Sequence, residues 1–257
     1  MRGKDDELAD RWFRILKHCP NPGIRLVCFP HAGGAASFFR PWAPLVPDGV
    51  ELVAVRYPGR EDRLLDPPVE TMEGLAEPLA RSCSRFTDAP LVFFGHSMGA
   101  SVAAEVAQRL QHANGTTLAA LFVSGRAGPG RQKPSGLAEV SDAELMESVG
   151  LLGGTNPQAF EDPELLELIL PPIRADYRLI DRYEPPVAGA GVDAPVVAYF
   201  GNQDPRVDEH AVEAWSSVTR STFTTRAFDG GHFYLADQPG ALLEDLFTRL
   251  GTPVKKS

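Results

Sequence analysis

Five short apolar runs recur along the chain, each closed by a proline or a glycine: "GIRLVCFP" (23–30), "VELVAVRYPG" (50–59), "APLVFFG" (89–95), "LAALFVSG" (118–125) and "APVVAYFG" (194–201). A strand with one face in water alternates apolar and polar residues. These runs are nearly continuous, as strands buried on both faces of a parallel sheet must be. Between them lie segments of helical spacing, with Met72, Leu75, Leu79 and Phe86 in one and Val102, Val106 and Leu110 in the next. Strand, helix, strand, helix predicts an α/β fold whose mostly parallel central sheet is flanked by helices. A length of 257 residues, 43% of them hydrophobic, fits one such domain.

The rhythm breaks between about 126 and 193. Ser141 stands three residues before Glu144, the spacing of a capping box, and Asp162 precedes Pro163 as a cap precedes a first helical residue. Pro171 and Pro172 are expected to interrupt that second helix before "IRADYRLIDRY" resumes it. Residues 137–186 therefore read as an inserted helical lid on a core made of 12–136 and 187–250, with flexible ends at 1–11 and 251–257. Leu145, Met146, Leu151, Leu152, Leu165, Leu166, Ile169, Ile173 and Tyr177 supply more apolar surface than one sheet face needs; most should be helix core, and some should line a pocket.

Several classes of function are disfavoured. The net charge of -9, with no basic run beyond Lys255 and Lys256, lacks the footprint of a nucleic-acid binder. Cys19, Cys28 and Cys83 are odd in number, so reduced structural thiols and a cytoplasmic setting are expected. "MRGKDDELAD" carries charge where a signal peptide needs apolar residues, and no window approaches the roughly 18 apolar residues of a membrane span. Metal-ligand spacing, a GxGxxG motif and a P-loop are all missing, so no metal and no cofactor is expected.

The chemistry centres on "GHSMG" (95–99), which sits at the seam between "APLVFFG" and "ASVAAEVAQRL". Gly-x-Ser-x-Gly at a strand-to-helix turn holds a serine in a strained, exposed conformation, the glycines leaving room for strand and helix to approach. Ser97 is thus a candidate nucleophile, and it requires a histidine base oriented by a carboxylate, in the chain order Ser, Asp or Glu, His. Asp204 lies three residues past the glycine of "VVAYFG", and His232 follows it by 28 residues in a glycine-flanked loop. Asp208 competes with Asp204, although "VDEH" reads as a helix start that Asp208 would cap. His18, His112 and His210 read as solvent-facing, and His96 faces the wrong way to serve as base. The oxyanion donors are expected to be the N–H groups of Met98 and Ala32, the latter in "PHAGG" (30–34), with Gly33 as its alternative. His31 has two readings, orienting that loop by hydrogen bonding or standing as an incidental turn residue.

With "FPHAGG", "YPGRE", "FFGHSMGA", "RADYRLIDRY", "GNQDP" and "GGHFYL" in that order, the chain resembles the stand-alone type II thioesterases of polyketide and nonribosomal peptide synthesis, over about residues 12–245. That resemblance implies an α/β-hydrolase fold and hydrolysis of aberrant or stalled acyl groups from the phosphopantetheine arm of acyl or peptidyl carrier proteins. It implies Ser97, Asp204 and His232 as triad, and a monomer. Carrier proteins are generally acidic, so docking would need a basic patch, for which Arg56, Arg60, Arg63, Arg126, Arg131 and Lys133 are candidates. A general carboxylesterase or lipase, a cyclising release domain and a catalytically silent binding protein are the competing readings.

Overall fold

The computed structural model describes residues 11–152, 162–185 and 191–252. Seven strands form one sheet among them: β1 (Phe13–Lys17), β2 (Ile24–Phe29), β3 (Val50–Val55), β4 (Leu91–His96), β5 (Ala120–Ser124), β6 (Val196–Gly201) and β7 (Phe223–Phe228). Their order is β1-β3-β2-β4-β5-β6-β7; β1 is antiparallel to β3 and every other pairing is parallel. The helices are α1 (Met72–Cys83), α2 (Met98–Asn114), α3 (Asp142–Leu152), α4 (Pro163–Arg182), α5 (Glu209–Glu213), α6 (Tyr234–Asp237) and α7 (Pro239–Arg249).

The five apolar runs are β2 to β6, and their side chains divide between two cores because successive strand residues point to opposite faces. In β2, Val27 and Phe29 join Leu79 of α1 and Ala103 of α2, while Leu26 and Cys28 join Trp42 and Leu243 of α7. Burial pushes the Cys28 and Cys83 thiols well up, so both pack as small apolar groups. The edge strands are less legible in the sequence: β1 is five residues with only Phe13 buried, and β7 leaves Thr224, Arg226 and Ala227 exposed. Among the described residues no helix is long and apolar enough to cross a membrane.

The insertion between β5 and β6 contributes α3 and α4. Ser141 and Glu144 form the expected capping box, each accepting the other's backbone N–H, and Asp162 accepts the N–H groups of Glu164 and Leu165. The expected interruption at Pro171 and Pro172 does not occur, for α4 runs unbroken through both. The two carbonyls the prolines leave without a helical donor belong to Glu167 and Leu168, which are exposed and open to water, while buried Leu170, Ile173, Tyr177 and Ile180 anchor the helix on both sides. The expected boundary at 186/187, residues 153–161 of the insertion, Lys255 and Lys256, and most of both expected tails lie outside the described residues. Arg11, assigned to the first tail, is already tied to Asp66 at 2.9 Å.

Candidate active site

Ser97 stands between β4 and α2 with φ 53° and ψ -119°, a backbone conformation that L-residues rarely adopt. Its own N–H donates to the Ser124 carbonyl at 2.7 Å and its carbonyl accepts the Ala100 N–H at 3.0 Å, so the turn is held from both sides. The glycines are required by contact. A Cβ on Gly95 would lie 2.1 Å from the Gly99 carbonyl oxygen, and one on Gly99 would lie 2.1 Å from that of Phe29. Met98 opens α2, so its amide belongs to the first helical turn, whose N–H groups lack intrahelical acceptors.

Asp204 and His232 meet because β6 and β7 are neighbours whose following loops bond to each other. Asn202 and Gln203 donate their N–H groups to the carbonyls of Phe228 and Gly230, and a Cβ on Gly201 would collide with the Gly231 carbonyl oxygen at 2.3 Å. His232 Nδ1 lies 2.6 Å from Asp204 Oδ2, while Asp204 Oδ1 accepts the Arg206 N–H at 2.9 Å. Both side chains are almost wholly buried. A carboxylate can only accept, so Nδ1 carries the proton and Nε2 of the neutral ring is left as an acceptor. Asp208 instead caps α5, accepting the Ala211 N–H at 2.7 Å, as its sequence context suggested.

His96 lies fully buried beneath this pair, its ring centroid 4.9 Å from that of His232. Its Nδ1 is 2.9 Å from Ser124 Oγ, which is itself 2.7 Å from the Tyr234 hydroxyl. Burial, reinforced by like charge on His232 and His31, holds the His96 pKa well below the usual histidine value, so it remains a neutral support. His31 acts through packing, its ring wedged edge-on between Phe38 and Phe233, and through its carbonyl, which accepts the Gly34 N–H at 2.9 Å.

Ser97, Met98, Ala32, Asp204 and His232 line one cavity of about 580 Å³, joined by Tyr177 and Ile180 of α4. The Gly33 N–H does not face it, being engaged by Asp176 Oδ2 at 2.7 Å, which leaves Ala32 as the loop's candidate donor. Of the lid residues singled out in the sequence, Tyr177 faces this cavity; Leu165, Ile169 and Ile173 line a second, of about 450 Å³, across the His31–Gly34 loop. Leu145 is core, and Leu151 is 82% exposed.

The six basic candidates separate cleanly. Arg126, Arg131 and Lys133 line the Ser97 cavity, with Arg206 beside them. Arg56, Arg60 and Arg63 are instead neutralised by Asp62, Asp176 and Asp66, so they hold loops together and do not form a free basic patch. Sequence reading missed Asp176, Ser124 and Tyr234. For Asp176 a signal existed: a carboxylate in register with Ile173 and Ile180 on an apolar helix face must be buried and paired.

The sequence matches the family model of the thioesterase domain over residues 24–250. The chain belongs to the thioesterase family. This thioesterase is 38% identical over 242 residues to Thioesterase PikA5 of Streptomyces venezuelae, covering 93% of the chain and 85% of that protein. It is 36% identical over 238 residues to a probable cadicidin biosynthesis thioesterase of Streptomyces griseus, covering 92% of the chain and 65% of that protein. Its fold is similar to that of the type II thioesterase BorB from the borrelidin biosynthetic cluster, with TM-score 0.85 and 37% identity over 94% of this chain and 98% of that one. The enzyme class and the α/β-hydrolase fold expected from the sequence both hold.

Proposed function

We propose that this thioesterase removes aberrant or stalled acyl groups from the phosphopantetheine arm of acyl or peptidyl carrier proteins, through an acyl-enzyme on Ser97. The observation that carries the reading is one cavity lined by Ser97, by the bonded His232–Asp204 pair and by Arg126, Arg131, Lys133 and Arg206, which outnumber the other lining carboxylates, Asp181 and Asp208. Ser97 Oγ attacks the thioester carbonyl while His232 Nε2 takes its proton, and Asp204 stabilises the resulting imidazolium. The oxyanion of the tetrahedral intermediate is met by the N–H groups of Met98 and Ala32. Collapse breaks the C–S bond, His232 returns the proton to the departing pantetheine sulfur, and the acyl group stays on Ser97. Water, deprotonated by the same histidine, then releases the carboxylic acid and restores the serine. No cofactor enters these steps.

The excess of cations over carboxylates in this lining fits an arm that carries a phosphodiester. Arg126 is drawn down to about 10 by burial and still remains charged at neutral pH, and its Nε is buried with no hydrogen-bond partner among the described residues. A substrate phosphate would pair with this guanidinium where Arg126 lines the cavity. The relatives named for cadicidin biosynthesis and for the borrelidin biosynthetic cluster support the same setting, and the free Cys19, Cys28 and Cys83 suit the cytoplasm.

The test is intact-mass analysis of a carrier protein loaded with short and long acyl thioesters. The wild-type protein is expected to strip the acyl mass, and Ser97→Ala to do so at least about 10⁴-fold more slowly. Undiminished deacylation by Ser97→Ala would overturn the proposal.

A further inference from the structure

The Ala32 amide has no side chain to aim it, so its direction depends on what fixes the peptides around it. No cis peptide is present among the described residues, and in the trans His31–Ala32 unit the C=O and N–H point in opposite directions. The His31 carbonyl is committed to the Gly34 N–H at 2.9 Å, across a turn whose third residue, Gly33, has φ 76°. The Ala32 N–H is therefore turned away from the body of the turn.

The next backbone groups are held by two side chains, one buried and one largely buried. Asp176 Oδ2 accepts the Gly33 N–H at 2.7 Å, and Arg60 Nη1 donates to the Gly34 carbonyl at 3.0 Å. The two side chains clasp each other in a bidentate pair, at 2.7 and 2.9 Å, with only 11% and 5% of each exposed. Arg60 is fixed in turn by its Nε bond to the Pro58 carbonyl and by the Tyr57 ring, whose hydroxyl donates to the Pro30 carbonyl. Ile173, one turn before Asp176, fills the space a Gly33 side chain would need, at 3.1 Å.

We infer that Arg60 and Asp176 are positioning residues for the oxyanion site: they fasten the His31–Gly34 turn to helix α4 and thereby aim the Ala32 N–H at the reacting carbonyl. The inference rests on the proposed role of Ala32. Removing either charge outright leaves its partner buried and unpaired, which endangers the fold. Arg60→Lys and Asp176→Asn are the gentler variants. Lysine keeps the charge and loses the fork; asparagine keeps an acceptor for Gly33 and turns its amide against Arg60.

Each variant, normalised to its folded fraction by thermal melting, is expected to lose about 10- to 100-fold in kcat on an acyl-carrier thioester with KM changed by less than about twofold. An alkylboronic acid, which forms a tetrahedral adduct on the serine, should lose affinity by a similar factor, while a non-reactive thioether analogue of the substrate should bind as in wild type. A purely structural role would lower the melting temperature and leave kcat per folded molecule within about twofold, or weaken both ligands equally; either result overturns the inference. Ser97→Ala run in parallel separates the two claims. If it is inactive while Arg60→Lys matches wild type, the tether alone fails; if it keeps full activity, the site reading fails and the tether with it.

Discussion

Two aspartates four residues apart in the loop after β6 do different work, and the hydrogen bonds assign it. Asp204 gives one oxygen to His232 and the other to the Arg206 amide, whereas Asp208 spends its carboxylate on the first turn of α5. Asp204→Asn is therefore expected to lower kcat by about 10⁴, because an amide facing His232 favours the wrong tautomer. Asp208→Ala should cost about 1 kcal/mol in urea denaturation and leave kcat near wild type. His96 makes a prediction in pH. It is kept neutral in the folded protein but takes up a proton below about 6.5 once unfolded, so the unfolded state binds more protons and stability falls as pH drops through that value. Melting temperatures between pH 8 and 5 should show a shallower decline for His96→Gln than for wild type.

At the scale of the elements, the seam between β4 and α2 is the least tolerant part of the fold. Gly95→Ala and Gly99→Ala each place a methyl group on a backbone carbonyl that cannot move without shifting β2 or α2. Each should destabilise by more than about 4 kcal/mol, checked by the yield and melting of folded protein. This seam is readable from the sequence because its constraints are local: five adjacent residues and the runs on either side. The central strands are readable for a related reason, since burial on both faces writes an unbroken apolar run. The path of α4 is not. Proline rules predict a break at Pro171 and Pro172, and only the packing of Leu170, Ile173 and Ile180 against the rest of the molecule keeps the helix whole. The Arg60–Asp176 pair is hidden for the same cause: 116 residues separate its members, and nothing near Arg60 distinguishes it from a surface arginine until α4 has docked.

Across the whole molecule, a net charge of -9 coexists with a cavity lined by Arg126, Arg131, Lys133 and Arg206. If the proposed acyl carrier is acidic, its attraction to this acidic protein is expected at these cations, which outnumber the lining Asp181 and Asp208, and is expected to be screened by salt. Arg126→Gln is expected to raise KM by about tenfold for phosphopantetheine-linked thioesters and to leave KM for the dephosphorylated pantetheine thioester nearly unchanged, measured by release of the free thiol. The most direct test of the account presents one acyl group to the wild-type protein in two forms, as a thioester on a carrier's phosphopantetheine arm and as a free oxygen ester. The carrier thioester is expected to show a kcat/KM at least about tenfold larger. Equal or faster cleavage of the free ester would contradict it, leaving a general esterase whose cationic cavity has no carrier arm to receive.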